Sequence, residues 1–194
     1  MTPRWPWTAH RSWTVESSFS PTGPRLGRTF YDRPTAKVAR DLLGGSIHVV
    51  GPNGTRTVRI VEVEAYVAGD PASHTFRGPT RRNRSMFGPP GTLYVYRIHQ
   101  VVCANLVTRA GEAVLVRAGA PGDGTGDPSG PGRLCRYLGE VLSDDGTDTT
   151  ESARIFVTRG LAGCRTTPSV QLRRRPMGLA TAPPGRAYLS FAQW

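Results

Sequence analysis

The segment RIVEVEAY, at residues 59–66, decides the fold of this 194-residue chain. Its alternating hydrophobicity and its β-branched residues predict a strand. Because side chains on a strand alternate between two faces, one face is expected to carry apolar core residues: Val61, Val63 and Ala65. The other face is expected to carry two carboxylates beside an aromatic ring: Ile60, Glu62, Glu64 and Tyr66. An unpaired glutamate is almost never fully buried, so this second face is not simple core.

A second segment, LYVYRIHQVVCANLV at residues 93–107, predicts two strands joined by a two-residue turn at His99 and Gln100. The expected register pairs, from the turn outward, Ile98 with Val101, Tyr96 with Cys103 and Tyr94 with Asn105. Directly opposed residues share a face, so two rings and a neutral amide are expected on one concave surface. The strand pattern alone supports this register, because His-Gln lacks the Asn-Gly or Gly-X pair of favoured hairpin turns.

The rest of the chain predicts short elements around this sheet. A helix is expected to begin near Asp32 and Pro34, and a second short helix is marked by Leu134, Leu138, Val141 and Leu142. Further strands are predicted at residues 46–50, 112–118 and 154–158, and a last edge strand at 188–191. Residues 119–132 predict a mobile surface loop. Residues 1–26 are polar and aperiodic and predict a flexible tail, which leaves residues 27–194 as one domain.

Basic residues dominate the charge: 25 Lys+Arg against 14 Asp+Glu give a formal net charge of +11. Lys37 is the only lysine, and arginine suits bidentate contacts to phosphate. This balance favours nucleic acid as the partner, although a solvated basic surface or an arginine-rich codon bias explains the charge equally well. The long connection at residues 67–92 predicts a functional loop, with a candidate phosphate clamp at Arg77, Arg81, Arg82 and Arg84.

The cysteines indicate the compartment. Cys103, Cys135 and Cys164 are far apart and form no C-x-x-C motif, which predicts neither a metal site nor a disulfide framework and suits a reducing cytoplasm. No apolar run reaches membrane-spanning length, and the first residues lack the apolar segment of a signal peptide. The expected protein is cytoplasmic and has no membrane partner.

Several motifs, in order, resemble the alkyladenine (3-methyladenine) DNA glycosylases. They are RIVEVEAY, the run T-x-RNRxMFG-x-PG-x-LYVY at residues 80–96, C-x-N at 103–105 and AVLVRA at 113–118, with further matches at 30–45 and 130–135. The resemblance implies a mixed α+β domain with a curved antiparallel sheet, a protruding β-hairpin and short surrounding helices. It implies a monomeric, monofunctional base-excision repair enzyme, without cofactor or metal, that acts on duplex DNA in the nucleoid. Such enzymes flip a damaged purine, typically an alkylated one, out of the duplex and hydrolyse its N-glycosidic bond.

The matching positions give individual residues expected roles. Glu64 is the expected general base for water, and Arg117 is expected to hold that water and a nearby phosphate. Glu62 is the runner-up base, although an ion pair with a loop arginine is its more ordinary role. Four side chains are expected to bind the flipped base: the stacking rings Tyr66 and Tyr96, the recognition residue His74 and the guanine-excluding Asn105.

The chain departs from the family pattern at the hairpin. The segment YRIHQVVCAN is one residue short and lacks the usual Tyr-Gly pair, so His99, beside Gln100, lies nearest the wedge position. An ordinary exposed turn residue is the equal alternative for His99. The family residues after Leu142 cannot be placed. Three other functions remain open: a glycosylase for bulky or unusual adducts, a non-catalytic damaged-DNA binder, and a hydrolase of RNA or nucleosides.

Overall fold

Strand β2, Gly54–Tyr66, is the longest strand of the computed structural model, which describes residues 23–139, 142–160, 169–173 and 188–192. The other strands are β1 Ser46–Gly51, β3 Leu93–Ile98, β4 Val101–Arg109, β5 Glu112–Pro121, β6 Ile155–Thr158, β7 Ser169–Arg173 and β8 Tyr188–Ala192. The helices are α1 Arg28–Tyr31, α2 Thr35–Leu42 and α3 Pro131–Leu138, with 3-10 turns at Arg84–Phe87 and Leu142–Asp144.

All strand pairings in the sheet are antiparallel, in the order β3-β4-β5-β2-β1-β6. The outer edge of β2 is shared: β1 pairs with its first half, and β8 pairs with residues 62–65. The result is one α+β domain with a curved antiparallel half-barrel and few short helices, which confirms the predicted fold class. The predicted edge strand at 188–191 is wrong in one respect, because β8 lies between β2 and β7.

The β3–β4 hairpin has the predicted register. Ile98 pairs with Val101, Tyr96 with Cys103 and Tyr94 with Asn105, and residues 99 and 100 form the turn. His99 adopts a left-handed backbone with φ 51°. A left-handed residue is what a two-residue hairpin needs to match the twist of its strands, so the strand pairing imposes this geometry on a residue that does not favour it.

The predicted faces of β2 are wrong at its centre, because the strand contains a bulge. Ile60 pairs with Gly119, but Glu62 pairs with Ala118, so Val61 is an extra residue in β2. The bulge shifts the alternation by one position. Ile60 therefore packs in the main core with Val63 and Ala65, whereas Val61 is only half-buried. Glu62, Glu64 and Tyr66 remain together on the opposite face.

Three helices cover the core face of the sheet. Val38, Ala39 and Leu42 of α2 and Leu134 and Leu138 of α3 are buried there, together with Leu43 just beyond α2. Helix α2 begins at Thr35 rather than near Asp32, and Pro34 is its N-cap. The residue before a proline disfavours helical backbone, so a separate turn, α1, ends before Arg33. Helix α3 ends at Gly139, whose left-handed backbone caps it, and the predicted Leu142 lies in a separate 3-10 turn; Val141 lies outside the described residues.

The glycine-rich connection is shorter than predicted. Strand β5 continues to Pro121 and α3 begins at Pro131. A side chain at Gly119 would meet Val58 Cγ1 at 1.9 Å, so only glycine permits this close strand pairing. Of the expected tail at residues 1–26, only 23–26 are described, and Arg25 forms a β-bridge to Thr158 there.

Candidate active site

Cross-strand rows assemble the site on the face opposite the core. Glu64 pairs with Leu115 of β5, Leu115 pairs with Asn105 of β4, and Asn105 pairs with Tyr94 of β3. Because opposed residues share a face, this row leads from the carboxylate to the aromatic rings. Tyr66 lies two residues beyond Glu64 on the same side of β2. The sheet therefore brings together residues that are about forty positions apart in the sequence.

A small pocket lies among the rings. Its lining comprises Tyr66, Ala72, His74, Met86, Tyr94, Tyr96 and Asn105. The cavity volume is about 10 Å³, which is close to the least space that a single water molecule requires. The pocket therefore has the composition of an aromatic base-binding site but is closed to a purine in this conformation.

His74 closes the pocket from the loop between β2 and β3. Its Nδ1 shares a hydrogen bond of 2.9 Å with the Tyr94 hydroxyl, and its ring centroid is 4.2 Å from that of Tyr96. Burial lowers the pKa of His74 below its ordinary value, which favours the neutral imidazole near pH 7. A neutral imidazole can both donate and accept a hydrogen bond.

Asn83 fixes the loop that carries His74. It is 3% exposed, and its amide nitrogen donates to the carbonyl oxygens of His74 (2.9 Å) and Gly78 (3.1 Å). Its side-chain oxygen accepts from the backbone N–H of Thr80 at 2.6 Å. One side chain thus satisfies three backbone groups of an otherwise irregular segment.

A buried charge cluster lies beside the pocket. Glu64 is 1% exposed, and Arg117 is 8% exposed. Arg117 Nη1 donates to Glu64 Oε2, and Arg117 Nε donates to Glu62 Oε1 at 3.1 Å. Burial opposes the charge of Arg117, but the two carboxylates outweigh it and raise its pKa above the ordinary value. Glu62 thus forms an ion pair as expected, but with a strand arginine rather than a loop arginine.

The tyrosine rings are held in apolar surroundings. Burial raises the pKa values of Tyr66 and Tyr96 far above the ordinary range, so both hydroxyls stay neutral. Within the described part of the chain, the buried Tyr66 hydroxyl has no hydrogen-bond partner. Tyr94 and Tyr96 stack with ring centroids 5.4 Å apart. Asn105 donates to the Tyr94 carbonyl oxygen at 3.3 Å, which fixes its amide at the pocket wall.

The remaining predicted residues surround the pocket rather than line it. His99 and Gln100 are exposed at the hairpin tip, about 10 Å along β3 from Tyr96 at the usual rise per strand residue. The four arginines of the loop between β2 and β3 are exposed: Arg77, Arg81, Arg82 and Arg84. None of the four forms an ion pair with an acidic residue in the described ranges.

Sequence reasoning missed two pocket residues, the contact of Tyr94 with His74 and the ion pair of Glu62 with Arg117. Ala72 and Met86 line the pocket, and Tyr94 holds His74 through its hydroxyl. Met86 lies within the MFG motif, so the sequence contained a feature that could have identified it as a pocket residue. Nothing in the sequence identified the pairing of Glu62 with Arg117, because that contact depends on irregularities in two strands.

A buried carboxylate beside an aromatic pocket, together with exposed arginines in the loop that carries His74, is compatible with an enzyme that acts on bases of nucleic acids. The sequence model of the methylpurine-DNA glycosylase family matches residues 29–182. The chain therefore belongs to the methylpurine-DNA glycosylase family, and it is a DNA glycosylase by membership.

Individual relatives agree with this assignment. A protein of Methanoculleus marisnigri is 50% identical over 139 residues, which cover 63% of this chain and 72% of the relative. A protein of Methanocella arvoryzae is 42% identical over 158 residues, which cover 72% of this chain and 79% of the relative. A protein of Rhizobium etli is 47% identical over 126 residues, which cover 58% of this chain and 61% of the relative. All three bear the name "Putative 3-methyladenine DNA glycosylase".

Neither a membrane-spanning helix nor a metal-binding cluster is present among the described residues. No helix there is long and apolar enough to cross a membrane. No group of three or more His, Cys, Asp or Glu side chains lies close enough to hold a metal ion in that part of the chain.

Proposed function

We propose that this protein binds duplex DNA as a monomer, flips a damaged purine into the aromatic pocket and hydrolyses its N-glycosidic bond. The observation that carries the proposal is the buried Glu64–Arg117 pair on the same sheet face as the rings of Tyr66 and Tyr96. A base inside a duplex is not accessible to water, so such chemistry requires extrusion of the nucleotide. The names of the relatives point to alkylated purines such as 3-methyladenine as substrates.

Glu64 is the general base of the proposed reaction. An alkylated purine is already a good leaving group, so the protein must mainly place and activate a water molecule at the anomeric carbon. A carboxylate can accept the proton of that water and stabilise an oxocarbenium-like centre. The cationic Arg117 supports this role, because it favours the ionised form of the carboxylate that it contacts.

Distance favours Glu64 over Glu62 as the base. Along β2, Glu64 lies two residues from Tyr66, or about 7 Å, whereas Glu62 lies four residues away, or about 13 Å. The nearer carboxylate can reach the sugar of a nucleotide whose base contacts Tyr66. Glu62 lies on the far side of the Arg117 guanidinium and is too remote to contact the same water.

The damaged base is bound between aromatic rings that must first separate. A cavity of about 10 Å³ does not hold a purine, so entry of the base displaces the packed rings of His74 and Tyr96. Electron-rich tyrosine faces attract a cationic purine, which favours alkylated bases over normal ones. Asn105 at the pocket wall crowds the exocyclic amino group of guanine, and His74 contacts the edge of the base.

The enzyme is proposed to be monofunctional. Cleavage of the DNA strand by a glycosylase requires an amine that forms a Schiff base with the sugar. The only lysine, Lys37, is exposed on α2, which packs on the opposite face of the sheet from the pocket. No lysine side chain is therefore available at the pocket, which favours water activated by Glu64 as the nucleophile.

Base release from duplex oligonucleotides tests the proposal. Duplexes that carry 3-methyladenine, hypoxanthine or a bulky ethenoadenine are incubated with the protein, and abasic sites are detected by alkaline cleavage. We expect abasic sites in at least one damaged duplex and none in the undamaged control. Binding without base release on every damaged duplex would favour the non-catalytic binder. Release of only the bulky adduct would favour the specialised glycosylase, which the altered hairpin makes plausible.

A further inference from the structure

Glu62 occupies an irregular position that the proposed chemistry leaves without a role. Between Ile60 and Glu62 the strand β2 gains the extra residue Val61, and between Glu62 and Val63 the facing strand β5 gains the extra residue Arg117. Two compensating bulges therefore lie side by side. Bulges are frequent next to active sites, where they redirect a side chain. Here they turn Glu62 and Arg117 toward each other and toward Glu64.

The contacts show what the two bulges achieve. Arg117 Nε donates to Glu62 Oε1 at 3.1 Å, and its Nη1 donates to Glu64 Oε2. A guanidinium is planar, and its donors have fixed directions. Two anchors at different nitrogens therefore fix both the position and the plane of the group. With Glu64 as the only anchor, the guanidinium could rotate about that contact.

Charge balance gives Glu62 a second effect. Arg117 is 8% exposed and shares one positive charge between two carboxylates. The negative charge of Glu62 partly cancels the positive potential that the guanidinium creates at Glu64. A carboxylate held by a closer, fully engaged arginine is a weaker base toward water. Glu62 thus limits how strongly Arg117 withdraws the basicity of Glu64.

We infer that Glu62 is a positioning residue. It orients the guanidinium of Arg117 against Glu64, and it limits how far Arg117 lowers the basicity of that carboxylate. The inference rests on the proposed function, in which Glu64 is the base. Glu62 itself contacts neither the water nor the flipped base, and its effect on excision passes through Arg117.

A double-mutant cycle tests this inference. Single-turnover excision rates and binding of damaged duplex are measured for the wild type, Glu62→Gln, Arg117→Ala and the double variant. We expect Glu62→Gln to slow excision roughly 10–100-fold, the effect of a small misplacement of catalytic groups, and to leave binding within about twofold. In the Arg117→Ala background, the same substitution should change the rate less than about twofold.

Several outcomes would overturn the inference. Equal losses in both backgrounds would show that Glu62 acts independently of Arg117, and a wild-type rate for Glu62→Gln would show that it has no role. Glu112→Gln is the matched control: it changes a partly buried glutamate that accepts hydrogen bonds from Thr35 and the Ala68 N–H, and it should leave the rate of excision within about twofold. Melting temperatures of all variants check that each one is folded.

An NMR measurement separates this inference from the proposed function. Exchange of the Arg117 Nε–H proton with solvent is measured in the wild type and in Glu62→Gln. The inference predicts faster exchange in the variant, whether or not the protein releases bases, and unchanged exchange would overturn it. A wild-type protein that protects this proton but releases no damaged base would sink the proposed function alone.

Discussion

At the scale of single residues, the proposed chemistry depends on one deeply buried carboxylate. Glu64 is 1% exposed and is contacted by the cationic Arg117. Burial of an ion without a partner costs several kcal/mol, and the ion pair with Arg117 offsets this cost for the Glu64 carboxylate. The same pair explains why neither residue can be exchanged without consequences for the other.

We predict that Glu64→Gln loses excision and keeps binding. The substitution conserves size but removes the proton acceptor, and a general base typically contributes about 10²–10⁴-fold to a rate. Single-turnover base release and titration of a damaged duplex measure the two effects separately. Near-normal release by Glu64→Gln would show that another group, with Glu62 as the next candidate, activates the water.

His99 combines backbone strain with a position at the hairpin tip. Its φ of 51° is a left-handed conformation, which costs a side-chain-bearing residue roughly 1–2 kcal/mol. Glycine relieves this strain but loses more chain entropy on folding. We predict that His99→Gly leaves the free energy of unfolding unchanged or raises it by up to about 1 kcal/mol.

The same variant is predicted to excise paired lesions more slowly than the wild type. A side chain inserted at the flipped-out position offsets unstacking, which costs a few kcal/mol, and glycine has no side chain to insert. Lesions in mismatches open more easily, so their excision rates should fall less in this variant. Denaturant unfolding and single-turnover rates on paired and mismatched lesions test both parts. Equal, wild-type-like rates would leave His99 as a turn residue only.

At the scale of elements, the loop between β2 and β3 depends on one buried amide. Asn83 accepts one hydrogen bond and donates two, all to backbone groups between residues 74 and 80. These bonds satisfy backbone groups that the regular hydrogen bonds of a strand or helix would otherwise satisfy. They also place His74 against the rings of Tyr94 and Tyr96.

We predict that Asn83→Ala lowers the free energy of unfolding by about 1–3 kcal/mol, the cost of leaving buried polar groups unsatisfied. Hydrogen exchange at the Thr80 amide should accelerate more than exchange in β4, because the loop loosens locally. Asn53→Ala, in the exposed β1–β2 turn, is the matched control and should stay within about 0.5 kcal/mol. Equal effects of the two substitutions would contradict the role of Asn83.

At the scale of the whole molecule, exposed arginines lie both on the helices, as Arg40 and Arg136 do, and in the loop that carries His74. The arginines Arg77, Arg81, Arg82 and Arg84 are exposed in the loop that closes the pocket, whereas the lysine Lys37 is exposed on the helical side of the sheet. A net charge of +11 alone does not distinguish these faces. The structure does, because it assigns these exposed cations to the loop that carries His74 or to the helices.

We predict that binding to undamaged duplex weakens steeply with salt, and that Arg82→Ala makes the dependence shallower. Each phosphate contact contributes about −0.9 to the slope of log K against log salt, so loss of one contact should reduce the slope by about 1. Lys37→Ala removes the same charge from the opposite face and should leave the slope unchanged. Equal changes for both variants would mean that the basic surface attracts DNA without a defined footprint.

The hairpin and the cross-strand row show how far sequence patterns reach. Alternation along β3 and β4 predicted both strands and their register, and the motifs predicted Tyr66, Tyr96, His74 and Asn105 as one group. The structure brings these four side chains together at the pocket. Local periodicity is sufficient here, because a tight turn leaves only one register that keeps the apolar face buried.

The bulges and the start of α2 show what such patterns leave open. Alternation predicted that Ile60 and Glu62 share one face of β2, but the extra residue Val61 puts them on opposite faces. A bulge depends on the pairing of two strands about fifty residues apart, so no local pattern reveals it. By itself, the sequence determined the strands other than β7 (Ser169–Arg173), the hairpin register and the chemical groups of the site. Only the tertiary structure decided that Arg117 lies between Glu62 and Glu64, because ion pairs between strands depend on register and burial, which are properties of the assembled sheet.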